Sequence, residues 1–224
     1  MANSRFRIFF PLLFTLLLGG GTTAAMAEPA SPTAHRVYTN ADFYVDGVFQ
    51  KEVAKDAIAQ LAESYGQRIT PEMRAQLWIS DFGLHDFEHV GLTEMIWVNQ
   101  QQYGYYAMTM YLLPNQMLPE HRHMPIASPP ARPAKHESWR VLHGWVYDFS
   151  EIGPKSAEIP AIPKSFGPVR SQNVVVQHEG EVRQLKQLES WHFMMASPQG
   201  AIVDEYGNWQ DHRGWFSSNP KVAP

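Results

Sequence analysis

The spacing of apolar residues along the chain changes once, close to residue 91. Before that point, residues 51–65 carry apolar side chains at intervals of three and four, which predicts an amphipathic helix. A second helix is predicted from Thr70 to about residue 78, because a threonine N-cap precedes a proline at the first helical position and an acid in the first turn. The early part of the chain is therefore predicted to form a small helical layer.

After residue 91 the chain is a series of short β-rich runs separated by turns. No intervening segment has helical spacing, and this arrangement predicts an antiparallel sandwich or barrel. The proline-rich segments 125–133 and 154–168 are predicted to be surface loops, because proline lacks the donor that a sheet requires. We thus predict a mainly β fold, a single antiparallel barrel or jelly roll. The predicted strands are residues 93–98, 103–112, 139–149, 173–178, 180–188, 191–195 and 201–206.

The first residues have the three-part layout of a secretory signal peptide. Two arginines precede an apolar run at residues 8–18, and the small–x–small sequence at 25–27 follows. The run is far shorter than the roughly 20 residues of a membrane-spanning helix, although an uncleaved anchor is the alternative. We expect a signal peptide at 1–27, an N-terminal extension at 28–50, and the folded domain with its helices at 51–224. The mature protein is expected to be exported, most simply to a bacterial periplasm, without membrane contact.

Composition removes several classes of chemistry. The net charge is −4 and no cluster of Lys or Arg occurs, which argues against nucleic-acid binding. Cysteine is absent, so disulfides, thiolate nucleophiles and cysteine-bound zinc are all excluded. The ten histidines therefore become the candidates for metal binding or acid–base chemistry.

Two of these histidines form an H-x-H pair, His121 and His123. Residues two apart in a strand point to the same face, so both imidazoles can approach one ion. The pair alone is weak support, since it also occurs as a solvated surface pair. Glu137 follows beyond the proline-rich loop, Gly144 comes after it, and His192 lies in a later β run.

These residues resemble the cupin family, whose first motif is H-x-H, an acid and then a glycine, and whose second motif adds a histidine. The chain also resembles a narrower group, the D-lyxose isomerases, over about residues 75–206. The matching segments, in order, are DFGL at 81–84, GL at 91–92, VN at 98–99, PEHRH at 119–123, KHE at 135–137 with Arg140, His192, and GAIVDE at 200–205.

The resemblance implies a cupin-type barrel with His121, His123, Glu137 and His192 as metal ligands. It implies Mn²⁺ as the metal, a monosaccharide as the substrate and a homodimer as the assembly. It also implies that Glu205 removes and returns the carbon-bound proton, and that Lys135 donates to a sugar oxygen. Independently of the resemblance, three imidazoles and a carboxylate leave two positions open on an octahedral divalent ion, and the same donors accept iron, nickel or zinc.

The expected function is a metal-dependent aldose–ketose isomerase that converts D-lyxose to D-xylulose, and D-mannose to D-fructose, through an enediolate. Two departures from the family pattern bear on this expectation: Met108 stands where a lysine is common, and Phe193 where tryptophan is favoured. The alternatives are a periplasmic cupin that binds metal or sugar without catalysis, and an Fe²⁺-dependent dioxygenase.

Other polar and aromatic motifs are expected to be structural. His85 and His89 belong to an H-x-x-E-H sequence, but nearby glycines on both sides argue against the continuous helix that a zinc-protease motif needs. His143 is expected at the end of a strand rather than at a metal. Tryptophans in β-rich domains usually fill the core, and we expect this of Trp139, Trp145 and Trp191.

Overall fold

A computed structural model describes residues 36–223. The predicted signal peptide and part of the predicted N-terminal extension lie outside these residues. Within 36–223 the longest helix has 14 residues, and none combines the length and apolarity needed to cross a bilayer.

The helical layer is confirmed. A short helix α1 (Asn40–Phe43) leads into a two-stranded hairpin of β1 (Tyr44–Val45) and β2 (Val48–Phe49). Helix α2 (Lys51–Ser64) buries its predicted apolar face. Helix α3 (Pro71–Gln76) begins as predicted, because the Thr70 hydroxyl accepts a hydrogen bond from the Met73 amide. It ends sooner than predicted, since the chain becomes extended at Leu77 and enters a strand.

The predicted mainly β architecture is also confirmed. Within residues 36–223, nine strands form one curled antiparallel sheet, in the order β11-β6-β10-β5-β4-β3, with β7 pairing along β10 and carrying β8 and β9. The strands are β3 (Trp78–Ser80), β4 (Leu92–Gln100), β5 (Tyr105–Leu112), β6 (His121–His123), β7 (Glu137–Ser150), β8 (Asn173–His178), β9 (Val182–Gln184), β10 (His192–Asn208) and β11 (Trp215–Ser217).

Strand β10 differs most from expectation. The two runs predicted at 191–195 and 201–206 are one strand, interrupted in its pairing with β7 between Ala196 and Ala201. The run predicted at 180–188 contains only the three-residue strand β9. Strands β3 and β11 have three residues each, too few for their alternation to be recognised in the sequence.

Among residues 36–223 the buried apolar side chains form three clusters. The curled sheet separates two of them, and the third includes Phe149, Phe166 and Phe193. Of the two separated clusters, one fills the inside of the curl and includes Met110, Val141 and Val203. The other lies between the sheet and the helices and includes Ile58 and Tyr111. The helical layer therefore covers one face of the sheet, and the opposite face surrounds the interior where the histidines lie.

The helices approach the sheet closely at Gly200. This residue has φ +80°, and a Cβ atom built on it would lie 2.6 Å from Leu61 Cδ1 of α2 and 2.9 Å from the Leu112 carbonyl oxygen. Both the backbone conformation and the contact with α2 therefore require glycine.

We predict that Gly200→Ala destabilises the fold by about 2–5 kcal/mol, as left-handed strain and overpacking add. Gly104→Ala is the matched control, because Gly104 also has a positive φ (+70°) but no atom within 4 Å of its added Cβ. Its expected cost is about 1–2 kcal/mol, from strain alone. Urea denaturation compares the two variants, and equal losses would show that the contact with α2 contributes nothing.

Candidate metal centre

Strand β6 presents the H-x-H pair to the interior. His121 and His123 are buried on one face, and Arg122 between them is partly exposed. The strand lies between β10 and β11, with His121 directly opposite His192. The carboxylate of Glu120, just before the strand, accepts hydrogen bonds from the Arg170 and Ser171 amides, which fixes the start of β6.

Strands β7 and β10 bring the remaining predicted ligands to the same place. Glu137 is the first residue of β7 and His192 the first of β10. One potential ligand atom from each of four buried residues lies within 4.8 Å of the others: His121, His123, Glu137 and His192. The structure therefore assembles the full ligand set that the resemblance implied.

The interruption of β10 also brings Glu205 to this side of the sheet. Met194 and Ala196 belong to the inner cluster, and so do Ala201 and Val203, although the step from 196 to 201 is an odd number of residues. Residues 197–200 account for this change, because they lie outside the pairing with β7. His192 and Glu205 consequently face the same interior.

Short contacts join the four residues. Glu137 Oε1 lies 2.6 Å from His192 Nε2 and 3.3 Å from His123 Nε2. Nδ1 of His121 lies 2.9 Å from the Pro119 carbonyl oxygen, and Nδ1 of His192 lies 3.0 Å from that of Ser190. With Nδ1–H donating to these carbonyls, both imidazoles keep Nε2 unprotonated for a metal, as second-sphere hydrogen bonds commonly ensure.

Buried nitrogen atoms without hydrogen bonds support the same interpretation. Nδ1 of His123 is inaccessible to solvent and has no hydrogen-bond partner among the described residues, and the buried Nε2 atoms of His123 and His192 face the Glu137 carboxylate without hydrogen-bond geometry. Such atoms are costly unless another group satisfies them. A divalent cation bound by three imidazoles and one carboxylate fits this donor set.

The electrostatics favour deprotonation of His121, His123 and Glu137. At His192, burial lowers the pKa but the Glu137 carboxylate outweighs it and raises the pKa above its usual value. Burial lowers the pKa of His123 to about 4, and burial together with the neighbouring imidazoles lowers that of His121. Burial opposes ionisation of Glu137, but the Lys135 ammonium and His123 outweigh it and hold the Glu137 pKa well below its usual range. Neutral imidazoles and an ionised carboxylate are the states that bind a metal.

The two residues predicted to be catalytic form an ion pair beside this cluster. Lys135 Nζ contacts Glu205 Oε1 and lies 2.8 Å from Glu137 Oε2, so one ammonium bridges two buried carboxylates. Gly207 permits the close passage of the lysine, because an added Cβ would lie 3.1 Å from Lys135 Cε. Burial raises the pKa of Glu205 to about 8, against the lowering effect of Lys135.

A cavity of about 330 Å³ opens onto the cluster. This volume is at the lower end of the range for small-molecule sites. Its wall combines apolar side chains, including Trp78, Phe82 and Trp215, with a group of polar ones. The polar lining residues are Glu94, His121, His123, Lys135, Glu205, Gln210 and His212.

Three of these polar lining residues were not predicted: Glu94, Gln210 and His212. Glu94 occupies an inward position of a strand, where the alternating pattern predicts an apolar residue. Gln210 and His212 belong to a connecting segment with no recognisable motif. That segment is held in place by Arg213, whose guanidinium pairs with Asp211 and donates to the Pro130 carbonyl.

The motifs expected to be structural lie outside the cluster. His89 pairs with Asp86 in a turn region rather than on a helix. His143 lies within β7 rather than at the strand end where it was expected, and it stacks on Tyr65, directly after α2, with ring centroids 5.3 Å apart. Trp139 is buried and parallel to the His192 ring, at a centroid distance of 6.2 Å, so it packs behind a ligand.

Comparison with known proteins gives relatives that match most of the chain. The D-lyxose/D-mannose isomerase of Thermosediminibacter oceani is 32% identical over 158 residues, which is 69% of this chain and 82% of the relative. The D-lyxose ketol-isomerase of Cohnella laeviribosi is 28% identical over 75% of this chain and 90% of its own length. No family model matches the chain.

Solved structures share the fold. The L-ribose isomerase of Acinetobacter sp. DL28 in complex with L-ribose superposes with a TM-score of 0.52, at 16% identity, over 76% of this chain and 86% of the other. The ligand-free L-ribose isomerase of Cellulomonas parahominis gives a TM-score of 0.51 at 15% identity, over 71% and 82% of the two chains. The fold is of the cupin class, and it carries a buried His/Glu group. Within that class, the chain belongs to the D-lyxose isomerase family.

We predict that chelation lowers the melting temperature and that Mn²⁺ restores it. With free metal about 100-fold above its Kd, binding to the folded state alone corresponds to a shift of about 5–10 °C. His192→Ala is expected to abolish the shift, since it removes one ligand. Differential scanning calorimetry with metal analysis measures both effects.

His143→Ala is the matched control for this experiment, because His143 lies on the same sheet but outside the cluster. It should retain both the metal and the thermal shift. An undiminished Mn²⁺-dependent shift in His192→Ala would contradict the proposed ligand set.

Proposed function

We propose that the protein is a divalent-metal-dependent aldose–ketose isomerase that converts D-lyxose to D-xylulose, with D-mannose as a second substrate. The observation that supports this most strongly is the Glu205–Lys135 pair, buried beside the His/Glu cluster in one cavity. The substrate assignment is supported by both relatives described above, which are named for D-lyxose, one of them also for D-mannose.

His121, His123, Glu137 and His192 would hold the cation. Once bound, a divalent ion supplies Lewis acidity at adjacent oxygens of an open-chain sugar. We propose Mn²⁺ because the family resemblance implies it and the mixed imidazole–carboxylate donors accept it.

Glu205 is proposed to move the carbon-bound proton. Its carboxylate takes the proton from C2 of the aldose, and the C2–H electrons form the C1–C2 double bond of an enediol as O1 gains a proton. Glu205 then returns its proton to C1 while O2 loses one, which gives the ketose. A single carboxylate can serve both carbons, because they are bonded neighbours.

Lys135 is proposed to position this carboxylate and to neutralise developing charge. An ammonium has three N–H donors, and the two carboxylates of Glu137 and Glu205 engage two of them. The third can donate to a sugar oxygen in the cavity. A positive charge held in a buried site stabilises an oxyanion more strongly than it would in water.

We also propose that the enzyme acts outside the cytoplasm. The support is the sequence of residues 1–27, with its arginines, apolar run and small–x–small site.

Conversion of D-lyxose to D-xylulose by the Mn²⁺-loaded mature protein tests this function. Glu205→Gln is expected to lower kcat by about 10²–10⁴-fold, because the amide cannot accept the C2 proton. Loss of the C2 deuterium of labelled D-lyxose to solvent follows the same step. Glu158→Gln, at an exposed glutamate, is the matched control.

Glu205→Gln should also keep its metal content, because Glu205 is outside the ligand set. Sugar binding without turnover by the wild type would instead favour a non-catalytic cupin. Full activity in Glu205→Gln would show that another group moves the proton.

We predict that kcat rises as the pH increases through about 8. Burial raises the pKa of Glu205 to about 8, and only the ionised carboxylate can accept the C2 proton. Lys135 lowers this pKa, so Lys135→Met should move the rising limb to higher pH as well as reduce the rate. Steady-state kinetics from about pH 6 to 10 measure both effects. If kcat of Lys135→Met rose over the same pH range as that of the wild type, the pH dependence would not arise from the Glu205–Lys135 pair.

A further inference from the structure

Glu94 is a buried carboxyl group that the proposed reaction does not use. It lies in the first half of β4 and is only 6% exposed. Alternation along the strand turns its side chain towards the interior of the curl, together with Leu92 and Ile96. Glu94 also borders the cavity lined by Lys135 and Glu205.

The immediate surroundings of Glu94 on the sheet are apolar. Its direct partner on β5 is Met110, and Met108 lies opposite Ile96. Across residues 36–223, no hydrogen bond or salt bridge involves its carboxyl group. Burial raises its pKa to about 7, against the lowering effect of Lys135.

Glu120 shows how a buried acid with a structural role is satisfied in this fold. The carboxylate of Glu120 is fully buried, and it accepts hydrogen bonds from two backbone amides at 2.6–3.0 Å. Glu94 has no such partner, so its burial costs stability without a compensating contact inside the protein. A group retained at such a cost, at the wall of a cavity, is typical of a ligand contact.

The other charged or metal-cluster groups of this wall have partners, and His212 is exposed to solvent. His121 and His123 belong to the metal cluster, and Lys135 pairs with Glu205. We propose that Glu94 is a specificity-determining residue: its carboxyl group forms a hydrogen bond with a hydroxyl group of the open-chain monosaccharide beyond the reacting carbons C1 and C2. This proposal rests on the proposed function, because it takes the substrate to be a monosaccharide.

Glu94→Leu tests this role, with Glu94→Gln as the conservative variant. The substrates are D-lyxose and its monodeoxy forms that lack O3, O4 or O5. For D-lyxose, Glu94→Leu should lower kcat/KM by about 10–100-fold, mainly through KM, because one hydrogen bond to a charged or polar partner is lost. For the deoxy sugar that lacks the recognised hydroxyl, the variant and the wild type should differ less than about threefold. Glu94→Gln should restore part of the loss.

Stability provides a second readout. Replacing an unpartnered buried carboxyl with leucine should leave the melting temperature unchanged or higher, whereas a structural role would lower it. Thr93→Val is the matched control, because this buried neighbour points to the other face of β4, and it should keep wild-type kinetics with every sugar.

Equal losses of kcat/KM for D-lyxose and for all three deoxy sugars, or no loss at all, would overturn the proposal. Failure of the isomerase function is distinguishable, because calorimetric binding of D-arabinitol, which cannot isomerise, needs no turnover. Weaker D-arabinitol binding in Glu94→Leu would support the Glu94 contact even in an inactive protein. A wild type that binds neither D-arabinitol nor any of the sugars would overturn both proposals.

Discussion

The interior of this protein depends on one buried anion, Glu137. Its carboxylate contacts two imidazoles on one side and the Lys135 ammonium on the other, and each of these groups would be costly to bury alone. The Lys135 ammonium also pairs with the Glu205 carboxylate. The His/Glu cluster and the Glu205–Lys135 pair are therefore one electrostatic unit, and a change of charge at any member alters the protonation of the rest.

The folded chain supplies this unit from strand ends, one loop and, for Glu205, the interior of β10. His192 and Glu137 each open a long strand, His121 and His123 occupy a three-residue strand between two others, and Lys135 precedes β7. Backbone ladders on both sides of β6 and β10 hold these positions rigidly. The cavity wall combines strand residues such as Glu94 and Met108 with residues of the connections such as Phe82 and Gln210, so the proposed site rests on the sheet and partly on loops.

Much of this arrangement was predictable, for identifiable reasons. Strand alternation alone places His121 beside His123, and helical spacing predicts α2. Glu137 and His192 are far apart along the chain, and only the ordered family pattern connects them with the pair. Glu94 escaped prediction because local pattern assigns an apolar residue to an inward position, and the benefit of an acid there exists only once the cavity is formed. The end of α3 was misplaced because pairing of Trp78 with β4 overrides helical preference.

The interruption at residues 197–200 has a consequence for how this family can vary. Successive side chains of a β-strand alternate between its two faces. The odd number of residues from Ala196 to Ala201 reverses this alternation once, so that the side chains of His192 and Glu205 both face the interior. Inserting or deleting an even number of residues here would keep Glu205 facing the interior. Inserting or deleting one residue would turn Glu205 outward and its neighbour Asp204 inward. Apart from Gly200, evolution is thus free to change the sequence of this segment more readily than its length.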